Sequence, residues 1–256
     1  MQPSRCAIAS ALFGLSFAGA LCPVHAHTRH FTYLYEATTA ARGEVELENW
    51  VTWTGSSAEN GRFNAFAFRH EVEFGLTDRF QLSIYVADWA YVDDPKNHRH
   101  GTRFQDAALE AIYRLSDPVD DPIGSAVYGE VRGGDRFVEL EAKLILEKDF
   151  APWIFAYNAT LEAEWEGEGL REKAGEFNQA LGISRRIGRH FYAGAELLHE
   201  VPLPDWNRAA GSVVSAGPNA GLRLGRWWAT VTPLFQLTRV RSEPDFQTRL
   251  IIGTEF

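Results

Sequence analysis

From residue 43 to the carboxyl terminus, apolar and polar side chains alternate in repeated runs of period two. In the first run, Val45, Leu47, Val51 and Trp53 fall on one side, and Glu44, Glu46, Glu48 and Thr52 on the other. After a polar stretch at 54–62, Phe66, Phe68, Val72 and Phe74 alternate with Arg69, Glu71 and Glu73. A tight turn at 75–79 leads into Phe80, Leu82, Ile84 and Val86, set against Gln81, Ser83 and Tyr85. Alternation sustained over about eight residues is the signature of strand, not helix. Further strands are predicted at 104–115, 123–132, 136–149, 152–165, 176–187, 190–201, 212–224, 227–239 and 246–256. In the clearest of these, Val138, Leu140, Leu144 and Leu146 oppose Glu139, Glu141, Lys143 and Glu147; the patterns at 176–187 and 212–224 are weaker. The last strand sets Thr248, Leu250, Ile252, Thr254 and Phe256 against Gln247, Arg249, Ile251, Gly253 and Glu255.

The connections alternate short and long along the chain, as turns on one side of a membrane and loops on the other should. Short ones fall at 76–79, 149–152, 187–190 and 225–227, longer ones at 54–62, 90–103, 166–175, 201–210 and 239–245. A short loop at 132–135 and a longer turn at 116–122 break the rule. Aromatic residues gather at strand ends: Trp53, Trp89, Tyr91, Trp165 and Trp206 at one level, Phe80, Tyr113, Phe150, Trp153, Trp227, Trp228 and Phe256 at the other. Two such girdles suit the two interfaces of a bilayer. Charged residues occupy one face of almost every strand. In the dry core of a sandwich they would cost several kcal/mol each, whereas a hydrated or charge-paired lumen accommodates them. The predicted fold is all-β: a transmembrane antiparallel up-and-down barrel of about 12 strands, spanning 43–256, whose last strand closes onto 43–53.

Targeting signals agree with export. Arg5 precedes an uncharged apolar run from Cys6 to Leu21, Pro23 breaks it, and Ala26 offers a cleavage position, the layout of a cleaved signal peptide over 1–26. Residues 27–42 read as a periplasmic lead-in, of which 31–42 could also occlude the lumen; nothing in the sequence decides between the two. Both cysteines, Cys6 and Cys22, lie in the leader, so the mature barrel has no disulfide framework. The chain carries 25 Lys and Arg against 34 Asp and Glu, and its leader removes only Arg5 from that balance. Such an acidic chain lacks the basic footprint that nucleic acid requires. Outer-membrane lipid, lipopolysaccharide, the barrel-assembly machinery and a small-molecule solute are the expected partners.

The runs GEVELENWVTW, RHEVEFGLTDRFQLSIYV and SAGPNAGLRLG, with the closing WWATVTPLFQLT and RLIIGTEF, resemble the outer-membrane proteins grouped with the meta-pathway of phenol degradation. That resemblance implies an outer-membrane barrel with a role in transport of small organic molecules. The terminal Phe256 likewise resembles the signal that outer-membrane barrels present to their insertion machinery.

The inward phase supplies the candidate pore lining: Glu44, Glu46, Glu48, Arg69, Glu71, Glu73, Glu110, Glu139, Glu141, Lys143, Glu162, Glu164, Arg186, Glu196, Arg223 and Arg249. A ring of carboxylates would set the field of a channel for cations or for neutral and aromatic solutes. The alternative is a structural network that fills a narrow, non-transporting barrel. Across the seam, Arg249 and Glu255 are expected to face Glu44, Glu46 or Glu48. Asn49 and His70 sit in the lipid-facing phase of adjacent strands, which invites comparison with a membrane-embedded lipid hydrolase. The serine that such a pattern places two residues after the histidine is replaced by Val72, so no enzyme is expected. Glu162 and Glu164 share one strand face rather than opposing each other across a substrate. His27 and His30 lack a third ligand, and the stretch containing Asp93, Asp94, Asn97, His98 and His100 also carries Lys96, Arg99 and Arg103. Neither points to a metal, and no cofactor is implied.

Overall fold

The computed structural model describes residues 28–206, 208–209 and 211–256; the leader read over 1–26 lies outside them. Twelve strands form one closed barrel. They are β1 (Val45–Thr54), β2 (Asn64–Thr77), β3 (Phe80–Asp94), β4 (Arg99–Ser116), β5 (Gly124–Gly134), β6 (Phe137–Phe150), β7 (Trp153–Glu166), β8 (Glu172–Ile187), β9 (Phe191–Pro202), β10 (Val213–Leu224), β11 (Trp227–Gln236) and β12 (Phe246–Glu255). Each strand pairs antiparallel with its sequence neighbours, and β1 closes onto β12. Closure leaves no unpaired sheet edge, which is what permits strands to cross a hydrocarbon layer.

Both ends of the barrel sequence lie at one mouth, called terminal below, together with the turns at 77–80, 116–124, 150–153, 187–191 and 224–227. The distal mouth carries the remaining connections. Outward positions form an apolar surface: Val86, Leu109, Val131, Leu140, Leu161 and Leu181 are all exposed. Trp53 packs with Phe66 and Phe246 at the distal level, while Phe150, Trp153, Trp227 and Phe256 are exposed at the terminal level. Both weakly patterned segments form full strands.

Three features depart from the sequence reading. The stretch 90–103 is mostly strand, because the β3–β4 ladder continues to Asp94↔Arg99. Its turn residues, Pro95–Asn97, are held by Asp94, which accepts from the side-chain amides of Asn97 and Asn60, both at 2.8 Å. The β2–β3 and β3–β4 ladders slip register near Asp88. The extra residue reverses the facing along β3, so Tyr85 and Asp88 both point inward while Val86 between them is exposed. A bulge of this kind re-aims every side chain beyond it. Trp228, assigned above to an aromatic girdle, is instead 2% exposed inside the barrel, where its indole N–H donates to Glu46. Gly253 lies opposite it in β12. Any Cβ at Gly253 would collide with that indole.

Candidate functional site

The lumen is divided by the chain's own lead-in. Residues 28–42, set apart above as a periplasmic segment, run inside the barrel. The side chain of Arg223, near the terminal mouth, donates to Thr28. The segment climbs to Thr32 and Tyr33, returns, and leaves beside the β2–β3 turn, where the Gly43 N–H donates to the Gly75 carbonyl at 2.8 Å. Phe31 and Ala37 are fully buried, and Leu34, Ala40 and Tyr35 nearly so.

This plug has no regular secondary structure, so its backbone groups need partners from elsewhere. Lumenal side chains supply them. Asn158 of β7 makes a reciprocal pair with Tyr35, accepting from its N–H at 2.6 Å and donating to its carbonyl at 2.9 Å. Glu196 of β9 accepts from the N–H groups of Thr32 and Tyr33 at 2.9 and 2.8 Å. Glu147 accepts from Ala37 and Gln81 from Ala40. Asn219 donates to the His30 carbonyl and Arg249 to that of Thr32. Each net bond contributes on the order of 1 kcal/mol. Apolar contacts add to them: Phe31 and Leu34 pack with Ile154, Ala156, Ala180, Leu198 and Leu234. Gly182 provides the seat, since a Cβ there would approach the Phe31 ring to 2.5 Å.

Above the plug lies a vestibule of about 240 Å³, floored by Thr32, Tyr33 and Tyr35 and walled by charged residues of several strands. Arg69 bridges Asp88 at 2.7 Å and Glu130 at 3.3 Å. Arg132 meets Glu130 at 2.8 Å and Glu139 at 3.4 Å, and Lys143 meets Glu141 at 2.5 Å. Lys143 also lies over the rings of Tyr35 and Tyr128, at 4.3 and 4.2 Å. Arg249 lies 4.3 Å from the Tyr33 ring, a favourable cation–ring arrangement. Burial pushes the Tyr33 phenol above the ordinary tyrosine range, against the opposing effect of Arg249.

The predicted lining residues therefore separate by level. Glu46, Glu48, Glu71, Glu73 and Glu110 are buried beside the plug, and Glu196 is consumed by it. Arg69, Glu139, Glu141, Lys143, Glu162 and Arg249 face the vestibule, with Glu164 beyond Glu162 on β7 towards the distal mouth. Glu44 bonds the Ala41 N–H at 2.8 Å at the terminal rim. Arg223 pairs with Glu255 at 2.9 Å, while Arg186 is exposed at the terminal mouth, not within a pore. The expected seam contact is corrected: Arg249 lies opposite Thr52 and bonds its hydroxyl at 3.0 Å. Glu255 does stand opposite Glu46 in the register. Phe256 is exposed, and its N–H closes on the Val45 carbonyl at 2.9 Å.

Glu130, Arg132 and Asn158 escaped the sequence reading, although strict alternation from Tyr128 marks Glu130 and Arg132; Glu147 falls in the polar phase of its strand but is not among the candidate lining residues. Asp88 and Asp106, which face each other across β3 and β4, are hidden by the register slips. On the lipid-facing side, Asn49 and His70 are direct cross-strand partners. Trp89 donates to His70 Nε2 at 3.2 Å, so Nδ1 carries the proton towards Asn49 Oδ1, 2.9 Å away. Both ring nitrogens are thus occupied.

Fold and lumen together define a plugged transmembrane β-barrel. A family model covers residues 23–241, and the chain belongs to that family, DUF6662, a family of unknown function. No curated protein matches the chain. Among solved structures, it is similar to the COG4313 outer membrane channel from Pseudomonas putida F1, with 12% identity, TM-score 0.63, and coverage of 88% of this chain and 100% of that one. It is also similar to the KdgM porin in complex with disordered oligogalacturonate, with 9% identity, TM-score 0.53, and coverage of 83% and 98%. The translocator domain of the autotransporter NalP from Neisseria meningitidis has 11% identity, TM-score 0.55, and coverage of 83% and 88%. At these identities the likeness is one of fold.

Proposed function

We propose that this protein is an outer-membrane channel for small organic molecules, gated by residues 28–42. The observation that carries the reading is the division of the lumen. A charged, aromatic-floored vestibule opens on the distal side, and a segment continuous with β1, but outside the sheet, closes the terminal side. A barrel filled only for stability can be filled by the side chains of its own strands, without a separate segment of chain in the lumen. In this reading the terminal mouth is periplasmic, the distal mouth extracellular, and the apolar exterior contacts lipid and lipopolysaccharide. The exposed Phe256 is the handle for the assembly machinery. The rings of Tyr33, Tyr35, Trp50 and Tyr128 beside lumenal cations and carboxylates suit an aromatic or other polar organic solute, the cargo that the resemblance to the phenol meta-pathway proteins implies. The occupied ring of His70 supports a channel over a lipid hydrolase.

Deleting residues 28–42 tests this. Four lost backbone bonds at about 1 kcal/mol each already correspond to roughly a thousandfold in the closed-to-open ratio. The variant, its folding checked by heat-modifiable migration, should therefore conduct in planar bilayers and admit small aromatic acids or sugars into liposomes where the intact chain seldom does. A folded deletion variant with no more current or uptake than the intact chain identifies a closed structural barrel instead.

A further inference from the structure

The carboxylates of β1 and β2 nearest the plug are held differently from those of the vestibule. Glu46 and Glu48 lie directly opposite Glu73 and Glu71. Like charges in that relation destabilise an antiparallel pair. All four side chains are at most 1% exposed, as is that of the nearby Glu110. The cation within reach is the plug's Arg29, whose guanidinium lies 3.3 Å from Glu48; Arg69 is engaged by Asp88 and Glu130. Donors serve some members: the Trp50 indole bonds Glu48 at 2.8 Å, the Trp228 indole bonds Glu46, and the Tyr85 hydroxyl bonds Glu110 at 2.7 Å. Glu71 and Glu73 are different. All four of their carboxylate oxygens are buried without a hydrogen-bond partner. An ionised carboxylate in that state is untenable without a proton or a cation.

The spacing favours a cation. One oxygen from each of Glu48, Glu71 and Glu73 lies within 4.8 Å of the others. Oxygens on opposite sides of one Ca²⁺ stand about 5 Å apart, twice the ordinary Ca–O distance. An all-carboxylate donor set suits a hard cation. A closed site with several protein oxygens suits Ca²⁺ better than Mg²⁺, which retains its waters. We propose that Glu48, Glu71 and Glu73 form a Ca²⁺ site between the β1–β2 wall and the plug. The ion neutralises the like-charge pairs and lets Arg29 dock on the wall without meeting an uncompensated acid cluster. This site is independent of whether the barrel conducts.

The test uses the full chain refolded in detergent after EDTA treatment, with Tb³⁺ as probe and the indoles of Trp50 and Trp228 as antennae. Tryptophan excitation should give terbium emission that saturates at a single ion per barrel and is displaced by Ca²⁺ at lower concentration than by Mg²⁺. Glu71→Gln/Glu73→Gln should lower affinity by more than the roughly tenfold typical of losing an outer contact. Glu162→Gln/Glu176→Gln, in the vestibule, should leave the affinity unchanged. Should the double variant fail to refold, Glu73→Gln alone and the calcium content of wild-type barrel purified in Ca²⁺ carry the test. A folded wild-type barrel that binds neither ion, or undiminished binding in the β2 variants, overturns the site and leaves proton-sharing carboxyl groups in its place.

Discussion

The two halves of the lumen are lined by the same strands and by the same residue type, yet their carboxylates do different work. In the vestibule, glutamates stand beside guanidinium and ammonium groups of the wall. Glu130 alone meets Arg69 and Arg132 and accepts from the Tyr128 hydroxyl at 2.8 Å. In the plugged half, the cations are fewer and the carboxylates meet backbone N–H groups of the lead-in instead, as Glu196 and Glu147 do. A glutamate facing inward on a barrel strand is therefore not yet a pore residue. What lies across from it decides whether it sets a field, anchors a plug or binds an ion.

Residues 28–256 contain no cysteine, so in protein that starts at residue 28 a single introduced thiol can report on the plug. Ala37 is fully buried, so a thiol in Ala37→Cys should be shielded from maleimide while the plug is seated. The largest point-mutation effect is expected from Glu196→Ala in that background. It removes the acceptor of two plug N–H groups, and each buried, unsatisfied group costs about 1–3 kcal/mol. Labelling should accelerate by roughly a hundredfold or more, by the usual conversion of about 1.4 kcal/mol per tenfold. An unchanged labelling rate would mean that the polar contacts do not hold the plug.

A smaller effect is expected from Gly182→Val. Its side chain occupies the seat of Phe31, and overpacking of this kind costs about 1–3 kcal/mol. Labelling at position 37 should rise roughly tenfold while heat-modifiable migration is retained. If labelling stays slow, apolar packing at Phe31 is dispensable and the comparison sharpens towards hydrogen bonding alone.

The strands were legible because period two survives almost every residue, even in the weak segments that became β8 and β10. The register slips near Asp88 were not, since a bulge adds one residue without changing the local composition. That 31–42 could occlude the lumen was open to the sequence, but how it is held there was hidden for a different reason. Its contacts are long-range pairings of irregular backbone with side chains, such as Tyr35 with Asn158 and Thr32 with Glu196, and no local periodicity encodes them. The apolar cluster of Phe31, Tyr33, Leu34 and Tyr35 was its one visible mark, because rings this dense in a hydrated periplasmic linker would have nothing to bury against. Trp228 was misplaced for a related reason: a strand-end indole looks alike to sequence whether it faces lipid or the lumen, and only Gly253 opposite makes room for it inside.

The smallest effect is expected in the vestibule, where the comparison can be broken most directly. Glu162 accepts from the Asn178 side chain at 3.0 Å and has no bond to residues 28–42 among the described contacts. Glu162→Gln removes a charge and keeps the shape. In the channel lacking residues 28–42, the reversal potential in a salt gradient should move by a few millivolts towards anions, because one carboxylate among several sets only part of the field and salt screens it. In the intact chain carrying Ala37→Cys, the same substitution should leave thiol labelling unchanged. A substantial change in labelling would show that the vestibule and the plug form one electrostatic unit, and the division of the lumen into a field-setting half and an anchoring half would have to be abandoned.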